Sequence, residues 1–336
     1  MPSRNGSRAP RRVVVVTGAS AGVGRATVEE LAREGCAIAL LARGRERLER
    51  AAAEVERLGG VALVLPVDVA DEDAVEAAAD AAEERLGPID VWINNAMATV
   101  FAPTLAITPA EFRRATEVTY LGSVWGTRAA LRRMRPRDRG VIVQVGSALA
   151  YRGIPLQGPY CGAKHALEGF LDAVRTELLH ERSRVRVTRV QLPALNTPQF
   201  SWGRSRMPRQ PQPVPPIFQP EVAARAIVWA SHHPRRELQV GWPTVKAIAG
   251  DKLAPGLADH FLARNGVDAQ QSDAPVPPDR PDNLFEPGTG DWGAHGAFDD
   301  RARDRSLELW AATHRGWVAL GLAGAALAAT LARRAR

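Results

Sequence analysis

Tyr160 and Lys164 lie four residues apart in the segment Tyr-Cys-Gly-Ala-Lys, a spacing that places both side chains on one face of a helix. A phenol has an ordinary pKa of about 10, and proton exchange near neutral pH requires a lower value, which a neighbouring ammonium group promotes. Lys164 is the first of only three lysines among 44 basic residues, so a casual surface charge explains it poorly. The pair predicts a phenol that exchanges a proton with a bound substrate.

Ser147 follows the apolar run 141–145 and lies thirteen residues before Tyr160. The run has the length and β-branched composition of a buried strand, and open α/β sheets bind ligands at the carboxyl ends of their strands. A hydroxyl at that edge can donate a hydrogen bond to a substrate oxygen beside the phenol and stabilise developing charge. The competing interpretation is a serine that caps the following turn.

A glycine-rich turn follows the first apolar run, residues 13–17, and opens a helical segment. Glycines permit a tight turn and let backbone amides approach a pyrophosphate, while the helix N-terminus offers a partial positive charge. The spacing T-G-x-x-x-G-x-G differs from the usual G-x-G-x-x-G, and a simple tight turn is the alternative. Its position after the first strand favours a dinucleotide site, with Gly18, Ser20, Gly22, Val23 and Gly24 as cofactor-binding residues.

The end of the second strand decides which cofactor fits. An acidic residue there would bind the ribose 2′-hydroxyl of NAD(H), whereas an arginine accommodates a 2′-phosphate. The chain has Arg43-Gly44-Arg45 at this point, with no acidic residue before Glu46. We therefore expect NADP(H) in preference to NAD(H), with Arg43 on the phosphate and Arg45 as a helper. The alternative is that both arginines are solvated surface residues.

Short β-branched runs alternate with amphipathic segments from residue 12 onward. Runs that are apolar on both faces indicate buried parallel strands, and the longer segments indicate helices on both sides of the sheet. The sequence therefore predicts an α/β fold, a doubly wound parallel sheet of the Rossmann kind, in a single catalytic domain of residues 12–250. The predicted strands are residues 13–17, 37–42, 61–67, 91–94, 141–145, 185–192 and 238–240, and the predicted helices are 25–34, 46–58, 71–86, 111–134, 159–181 and 221–232.

These motifs, in this order and at these spacings, resemble the short-chain dehydrogenase/reductase family over residues 12–245. Besides the glycine turn and the Ser147, Tyr160 and Lys164 set, the resemblance rests on Asp68-Val69 after the third strand and on the Asn-Asn-Ala segment 94–96. It implies that Asp68 and Val69 lie at the adenine and that Lys164 also holds the nicotinamide ribose. The cofactor-binding residues that it implies are Asp68, Val69, Asn94, Ala96, Tyr160, Lys164, Pro193 and Thr197, with Asn94 behind the cofactor and Thr197 on the carboxamide.

Three residues depart from the family pattern. Met97 stands where a glycine usually follows Asn-Asn-Ala, and Ala194 replaces the glycine after Pro193. Thr119 stands where an asparagine often completes a catalytic tetrad by positioning a water for proton relay. A threonine hydroxyl could bind that water with fewer hydrogen-bonding groups than an amide, so we include Thr119 among the catalytic residues with the weakest support.

The resemblance implies an oxidoreductase that moves a hydride between NADP(H) and a carbonyl or secondary alcohol, with Tyr160 as general acid or base. Residues 198–220 occupy the place of the family's substrate loop, and their apolar members suggest a small hydrophobic substrate; these members are Phe200, Trp202, Met207, Ile217 and Phe218. A non-catalytic NADP(H)-binding sensor or scaffold is the alternative from another class. A third hypothesis is a membrane-anchored structural protein.

Composition excludes some other classes. The net charge of +7 equals the number of arginines in residues 1–12 and 333–336, which contain no acid, so the body of the chain is neutral. A basic nucleic-acid-binding face is therefore not expected. Two cysteines cannot form a disulfide framework, and no metal-ligand spacing surrounds them, so no metal is expected and a cytoplasmic location fits.

The two ends of the chain differ from its middle. Residues 1–11 predict a disordered basic arm, residues 251–306 an irregular extension that is rich in Pro, Asp and Gly from 266 onward, and residues 307–336 an apolar helix with a basic end. Within it, residues 316–332 carry no charge, and two interpretations fit: a contact with a membrane, or packing on the body or on a partner subunit. The resemblance also implies a homo-oligomer.

Overall fold

The computed structural model of the protein describes residues 11–277, 279–318 and 320. Its centre is a sheet of seven parallel strands in the order β7-β6-β5-β4-β1-β2-β3. The strands are β1 (Val13–Thr17), β2 (Ala37–Ala42), β3 (Val61–Pro66), β4 (Val91–Asn94), β5 (Val141–Val145), β6 (Arg186–Gln191) and β7 (Glu237–Gln239). Since the strand order reverses between β1 and β4, a crevice lies over their carboxyl ends.

Both faces of the sheet are buried, as the doubly wound prediction requires. Successive residues of β1 point to opposite sides, so Val14 and Val16 belong to one hydrophobic core and Val13 and Val15 to another. The first core is shared with the helices α1 (Gly22–Arg33), α2 (Arg45–Arg57) and α8 (Pro220–His232), and the second with α3 (Glu72–Leu86), α5 (Gly122–Met134) and α6 (Gly158–His180). The predicted fold class is confirmed.

The predicted helix 111–134 is three segments that follow one another without a loop. It starts earlier, as α4 (Pro109–Thr116), because Thr108 and Glu111 form a reciprocal capping box ahead of Pro109. A wider turn with π-helical hydrogen bonds, Glu117–Leu121, then leads into α5. The remaining predicted helices are present with ends shifted by one to three residues.

Residues 198–220, which occupy the place of the family's substrate loop, contain regular structure. They contain a short helix, α7 (Gln199–Trp202), and short strands at Arg204–Ser205, Arg209–Pro211 and Ile217–Phe218. These pair respectively with Val100–Phe101, Gln271–Pro275 and Ala302–Arg303. The segment is therefore fixed to the body and to the C-terminal extension.

The extension is also less irregular than predicted. Helices α9 (Trp242–Leu253) and α10 (Pro255–Asn265) fill its beginning, so the irregular part starts only after Asn265. Short helical turns lie at Thr104–Ala106, Ala148–Ala150 and Asp268–Gln270. The predicted C-terminal helix begins as α11 (Leu307–Thr313).

The remaining expectations for the two ends lie outside the described residues. These are the basic arm, apart from residue 11, and most of the uncharged stretch 316–332. In the part of the chain that the structure covers, no helix combines the length and the apolar character needed to cross a bilayer.

Gly126 on α5 shows how closely the helices approach the sheet. A Cβ there would lie 2.2 Å from Asn94 Oδ1 and 2.6 Å from Trp92 Nε1, two atoms that share a hydrogen bond of 2.8 Å. We expect Gly126→Ala to lower the free energy of unfolding by about 1–3 kcal/mol, because the added methyl group overpacks this contact. Denaturant unfolding followed by circular dichroism measures the change.

Gly250→Ala is the matched control on α9, since a Cβ there meets nothing within 4 Å. We expect it to raise the free energy of unfolding by roughly 0.5–1 kcal/mol through helix propensity alone. Equal effects of the two substitutions would contradict the close contact at Gly126.

Candidate active site

A cavity of about 590 Å³ opens over the carboxyl ends of the central strands. The glycine turn, Arg43 and Val69 line it together with Ser147, Tyr160 and Lys164. The structure therefore brings the predicted chemical groups and most of the predicted cofactor contacts into one space. The predicted residues in its wall are Gly18, Ser20, Gly22, Val23, Arg43, Val69, Ala96, Ser147, Tyr160, Lys164, Pro193 and Thr197.

Lys164 is a buried cation beside the phenol ring. Its Nζ donates a hydrogen bond of 2.7 Å to the carbonyl oxygen of Val145 and lies 5.6 Å from the centroid of the Tyr160 ring. Burial lowers the pKa of Lys164 to about 8, and the charge of Glu168, one helical turn further along, opposes that decrease. The two side chains share a helical face, as the spacing predicts.

The surroundings of the Tyr160 phenol disfavour its ionised form. Burial raises the pKa of Tyr160 to about 12, and hydrogen bonding with Ser147 reduces the increase only in part. The sequence argument assigns Lys164 only part of the decrease that proton exchange near neutral pH requires, and this role stays a prediction. The Ser147 hydroxyl also accepts the backbone N–H of Leu149 at 3.1 Å, so its capping role and its proximity to the phenol coexist.

A polar network behind these residues is one that the sequence reasoning missed. Gln191 accepts the backbone N–H of Ser147 at 2.8 Å and donates to Glu168 at 2.9 Å. Arg189, only 2% exposed, pairs with the same Glu168 carboxylate. The signal was present, because Arg189 and Gln191 are long polar residues in a strand that has a neighbouring strand on each side in the sheet.

The glycine turn is held in place by Asn95, a second residue that the sequence reasoning missed. Its amide nitrogen donates to the carbonyl oxygens of Thr17 at 2.9 Å and Gly18 at 3.2 Å, while the Thr17 hydroxyl accepts the Asn95 backbone N–H. Gly18 has a φ of +68°, which favours glycine. Gly24 packs on the turn, since a Cβ there would lie 2.0 Å from Gly18 O, and it does not line the cavity.

The N-terminus of α1 fits an anion. Its first turn contains no acidic residue, and no side chain in the described ranges caps it. The backbone N–H of Gly22 instead donates a hydrogen bond of 2.9 Å to the carbonyl oxygen of Gly293 in the extension. In the same segment, Asp291 Oδ2 lies 3.7 Å from Nη2 of the buried Arg25. The extension therefore runs directly over the turn where a pyrophosphate would bind.

The extension also reaches Arg43. The Arg43 guanidinium donates to the carbonyl oxygens of Leu284 at 3.3 Å and Phe285 at 2.6 Å, and to that of Asn283. Leu284 is 1% exposed, so this part of the extension is packed into the body. Arg43 lies in the cavity wall as predicted, but much of its hydrogen-bonding capacity is already used.

Four predicted residues lie outside the cavity wall: Gly24, Asp68, Asn94 and Thr119. Asn94 is 1% exposed and turns towards α5, where its amide donates to Thr127 Oγ1 at 2.9 Å. The Thr119 hydroxyl donates to the carbonyl oxygen of Ala98 and accepts its backbone N–H, both at 2.9 Å. That hydroxyl thus clamps the segment after β4, and its proton is not available for a water relay.

Asp68, one of these four residues, and Arg45 form ion pairs outside the cavity. Asp68 is half-buried and pairs with Arg114; burial alone would raise its pKa, but the hydrogen bonds from Arg114 and from the Ala70 N–H lower it on balance. Arg45 is exposed and pairs with Glu49 at 3.9 Å, so it does not reach the cavity.

Metal and disulfide chemistry find no support in the part of the chain that the structure describes. No group of three or more His, Cys, Asp or Glu side chains there could hold a metal ion, and Cys36 and Cys161 are free.

The chain is similar in sequence and in structure to known proteins. Residues 12–206 match the sequence pattern of the family described as short chain dehydrogenase. The uncharacterized oxidoreductase YxnA of Bacillus subtilis is 32% identical over 282 residues, 83% of this chain and 79% of that protein. The 3-dehydrosphinganine reductase of Danio rerio is 33% identical over 64% of this chain and 67% of its own. An alcohol dehydrogenase from the archaeon Thermococcus sibiricus, solved with 5-hydroxy-NADP, has a TM-score of 0.59 at 29% identity, covering 68% of this chain and 96% of its own.

Burial of Lys164 predicts a pH dependence of stability. Its pKa is about 8 in the folded protein against an ordinary 10.5, so between these values the unfolded chain binds more protons and folding becomes more favourable as pH rises. Relative to Lys164→Met, which cannot titrate, the wild type should gain up to roughly 3 kcal/mol across that window. Denaturant unfolding near neutral pH and near the upper end of the window measures the difference.

Lys252→Met is the control, because Lys252 is exposed and its removal should leave the pH dependence of the wild type unchanged. A wild-type stability that tracks Lys164→Met at every pH would show that Lys164 titrates as an ordinary lysine.

Proposed function

The chain belongs to the short-chain dehydrogenase family and is an NAD(P)-dependent oxidoreductase; from this premise we propose that it prefers NADP(H) and reduces or oxidises a hydrophobic carbonyl or alcohol, with Tyr160 as the proton-transferring group. One observation carries the proposal: Ser147, Tyr160 and Lys164 line the same cavity as the glycine turn. The bound nicotinamide supplies the hydride chemistry. The protein supplies orientation and proton transfer.

Each of the three side chains has a separate task. The Tyr160 hydroxyl donates its proton to a carbonyl oxygen, or accepts one from an alcohol in the reverse direction. Ser147 donates a hydrogen bond to the same substrate oxygen, since the hydroxyl already faces the phenol. The hydrogen bond to Val145 holds the Lys164 ammonium in place, so it acts as a fixed positive charge that stabilises the phenolate.

The preference for NADP(H) is supported by the charge at the end of β2. Arg43 and Arg47 line the cavity there, together with Gly44. The nearest acidic candidate, Asp68, is engaged by Arg114 and does not line the cavity. A ribose 2′-phosphate would meet positive charge at this point, whereas a 2′-hydroxyl would find no carboxylate in the cavity wall that the structure describes.

The hydrophobic substrate is supported by the walls near Ser147. Apolar side chains from five separate segments face the cavity there, including two from α10: Met97, Leu149, Ile154, Phe200, Val214, Phe261 and Leu262. Of the predicted loop residues, Phe200 belongs to this wall and Trp202 lines the cavity beside Arg47, whereas Met207, Ile217 and Phe218 are buried in the body. Such a surface gains free energy by removing apolar substrate area from water.

Tyr160→Phe separates an enzyme from a non-catalytic sensor with the same fold. We expect kcat to fall by about 10² to 10⁴-fold, because the proton donor is lost, while the dissociation constant for NADPH changes little. Reduced-cofactor absorbance reports turnover, and quenching of tryptophan fluorescence reports binding.

Tyr120→Phe is the matched control, since Tyr120 packs edge-on against Phe170 outside the cavity and a phenylalanine keeps that contact. Its turnover should equal that of the wild type. Full activity in Tyr160→Phe would favour the sensor or a different proton donor.

A homologous series of ketones tests the apolar wall. Each added methylene buries area worth about 0.8 kcal/mol, so kcat/KM should rise roughly fourfold per methylene until the cavity is full. Steady-state kinetics with NADPH, repeated with NADH, measures the slope and the cofactor choice together. A flat or falling slope from the shortest ketone onward would exclude a hydrophobic substrate pocket.

A further inference from the structure

Arg47 is a buried cation in the cavity wall that the proposed chemistry does not use. It lies on the first turn of α2, three residues after Gly44, and only 7% of the residue is exposed. Its Nε is 3.1 Å from the place that a Cβ on Gly44 would occupy, so the absence of a side chain at Gly44 makes room for it. Arg45, two residues earlier, points to solvent.

The position of the Arg47 guanidinium is fixed by aromatic packing. It lies 5.6 Å from the ring centroid of Trp202 on α7, and Trp202 packs edge-on against Trp292 of the extension at 5.2 Å. The extension therefore helps to hold this charge against the cavity. This contact joins three segments that are far apart in the sequence.

No carboxylate among the described residues forms an ion pair with Arg47. Asp291 is close enough to oppose the decrease that burial causes in the pKa of Arg47, but its ion pair is with Arg25. Burying a guanidinium in a cavity wall costs free energy unless an anion pairs with it. Phosphate is the anion whose geometry a guanidinium matches with two parallel hydrogen bonds.

We propose that Arg47 binds the 2′-phosphate of NADP(H), a role that rests on the proposed cofactor preference. The place is right, because Arg47 lines the cavity at the end of β2 with Arg43 and Gly44, and the glycine turn lines the same cavity. Arg43 is less available, since three backbone carbonyls of the extension already occupy its guanidinium. Arg47 is thus the specificity-determining residue, and Arg43 supports it.

The test compares Arg47→Gln with Arg45→Gln, which removes an arginine two positions away that does not line the cavity. Equilibrium titration of each protein with NADPH and NADH, followed by calorimetry, gives dissociation constants without reference to turnover. We expect Arg47→Gln to weaken NADPH binding by on the order of tenfold or more and to leave NADH binding within about twofold. Arg45→Gln should match the wild type with both cofactors.

The outcomes separate this assignment from the proposed function. A wild type that binds NADH as tightly as NADPH would remove the cofactor preference itself. A wild type that prefers NADPH, together with an Arg47→Gln variant that keeps the preference, would overturn the role of Arg47 alone. Equal weakening of both cofactors would also overturn it, because the arginine would then bind a phosphate common to the two.

Arg47→Lys keeps the proposal testable if Arg47→Gln folds poorly. It retains the positive charge and the contact with Trp202 but cannot form two parallel hydrogen bonds to phosphate. We expect a smaller loss of NADPH affinity than in Arg47→Gln, again without loss of NADH affinity. Undiminished NADPH binding by Arg47→Lys, with native circular dichroism, would contradict bidentate recognition.

Discussion

A single ammonium group held out of water constrains most of this active site. Lys164 is anchored on the carbonyl oxygen of Val145, the last residue of β5, and its burial is costly enough to lower its pKa to about 8. Glu168 stabilises the protonated form from one turn away, and Gln191 joins that carboxylate to the backbone of Ser147. The strand end, the catalytic helix and the serine are therefore parts of one hydrogen-bonded unit.

The opposite side of the cavity depends on the C-terminal extension. Backbone carbonyls of the extension accept hydrogen bonds from the Gly22 N–H and the Arg43 guanidinium, two donors that an anionic cofactor would also use. Binding there exchanges one set of hydrogen bonds for another, so the net gain is smaller than the number of contacts suggests. Leu284, buried in the body, fixes the extension beside the site.

Local patterns were enough to predict the sheet and the catalytic helix, and were not enough to predict contacts between distant segments. Buried strands are apolar on both faces, so their positions were readable to within one or two residues. The sequence reasoning did not single out Asn95, whose side chain lies past the end of β4, whereas the side chain of Asn94 still belongs to the strand and points to α5. The sequence reasoning did not consider Arg47, because its contact with Trp202, which packs on Trp292, joins segments that no local pattern connects to α2.

In the proposed reaction, the pKa of the Tyr160 phenol favours one direction of proton transfer. With a pKa of about 12 the Tyr160 hydroxyl is protonated at neutral pH, so it is ready to donate to a carbonyl oxygen. Accepting a proton from an alcohol needs the phenolate, which the burial of this side chain disfavours. Lys164 lies beside the ring in carbonyl reduction and in alcohol oxidation alike, so it does not favour one of them over the other. Alcohol oxidation therefore depends on further positive charge beside the ring, which the oxidised nicotinamide carries and the reduced form lacks.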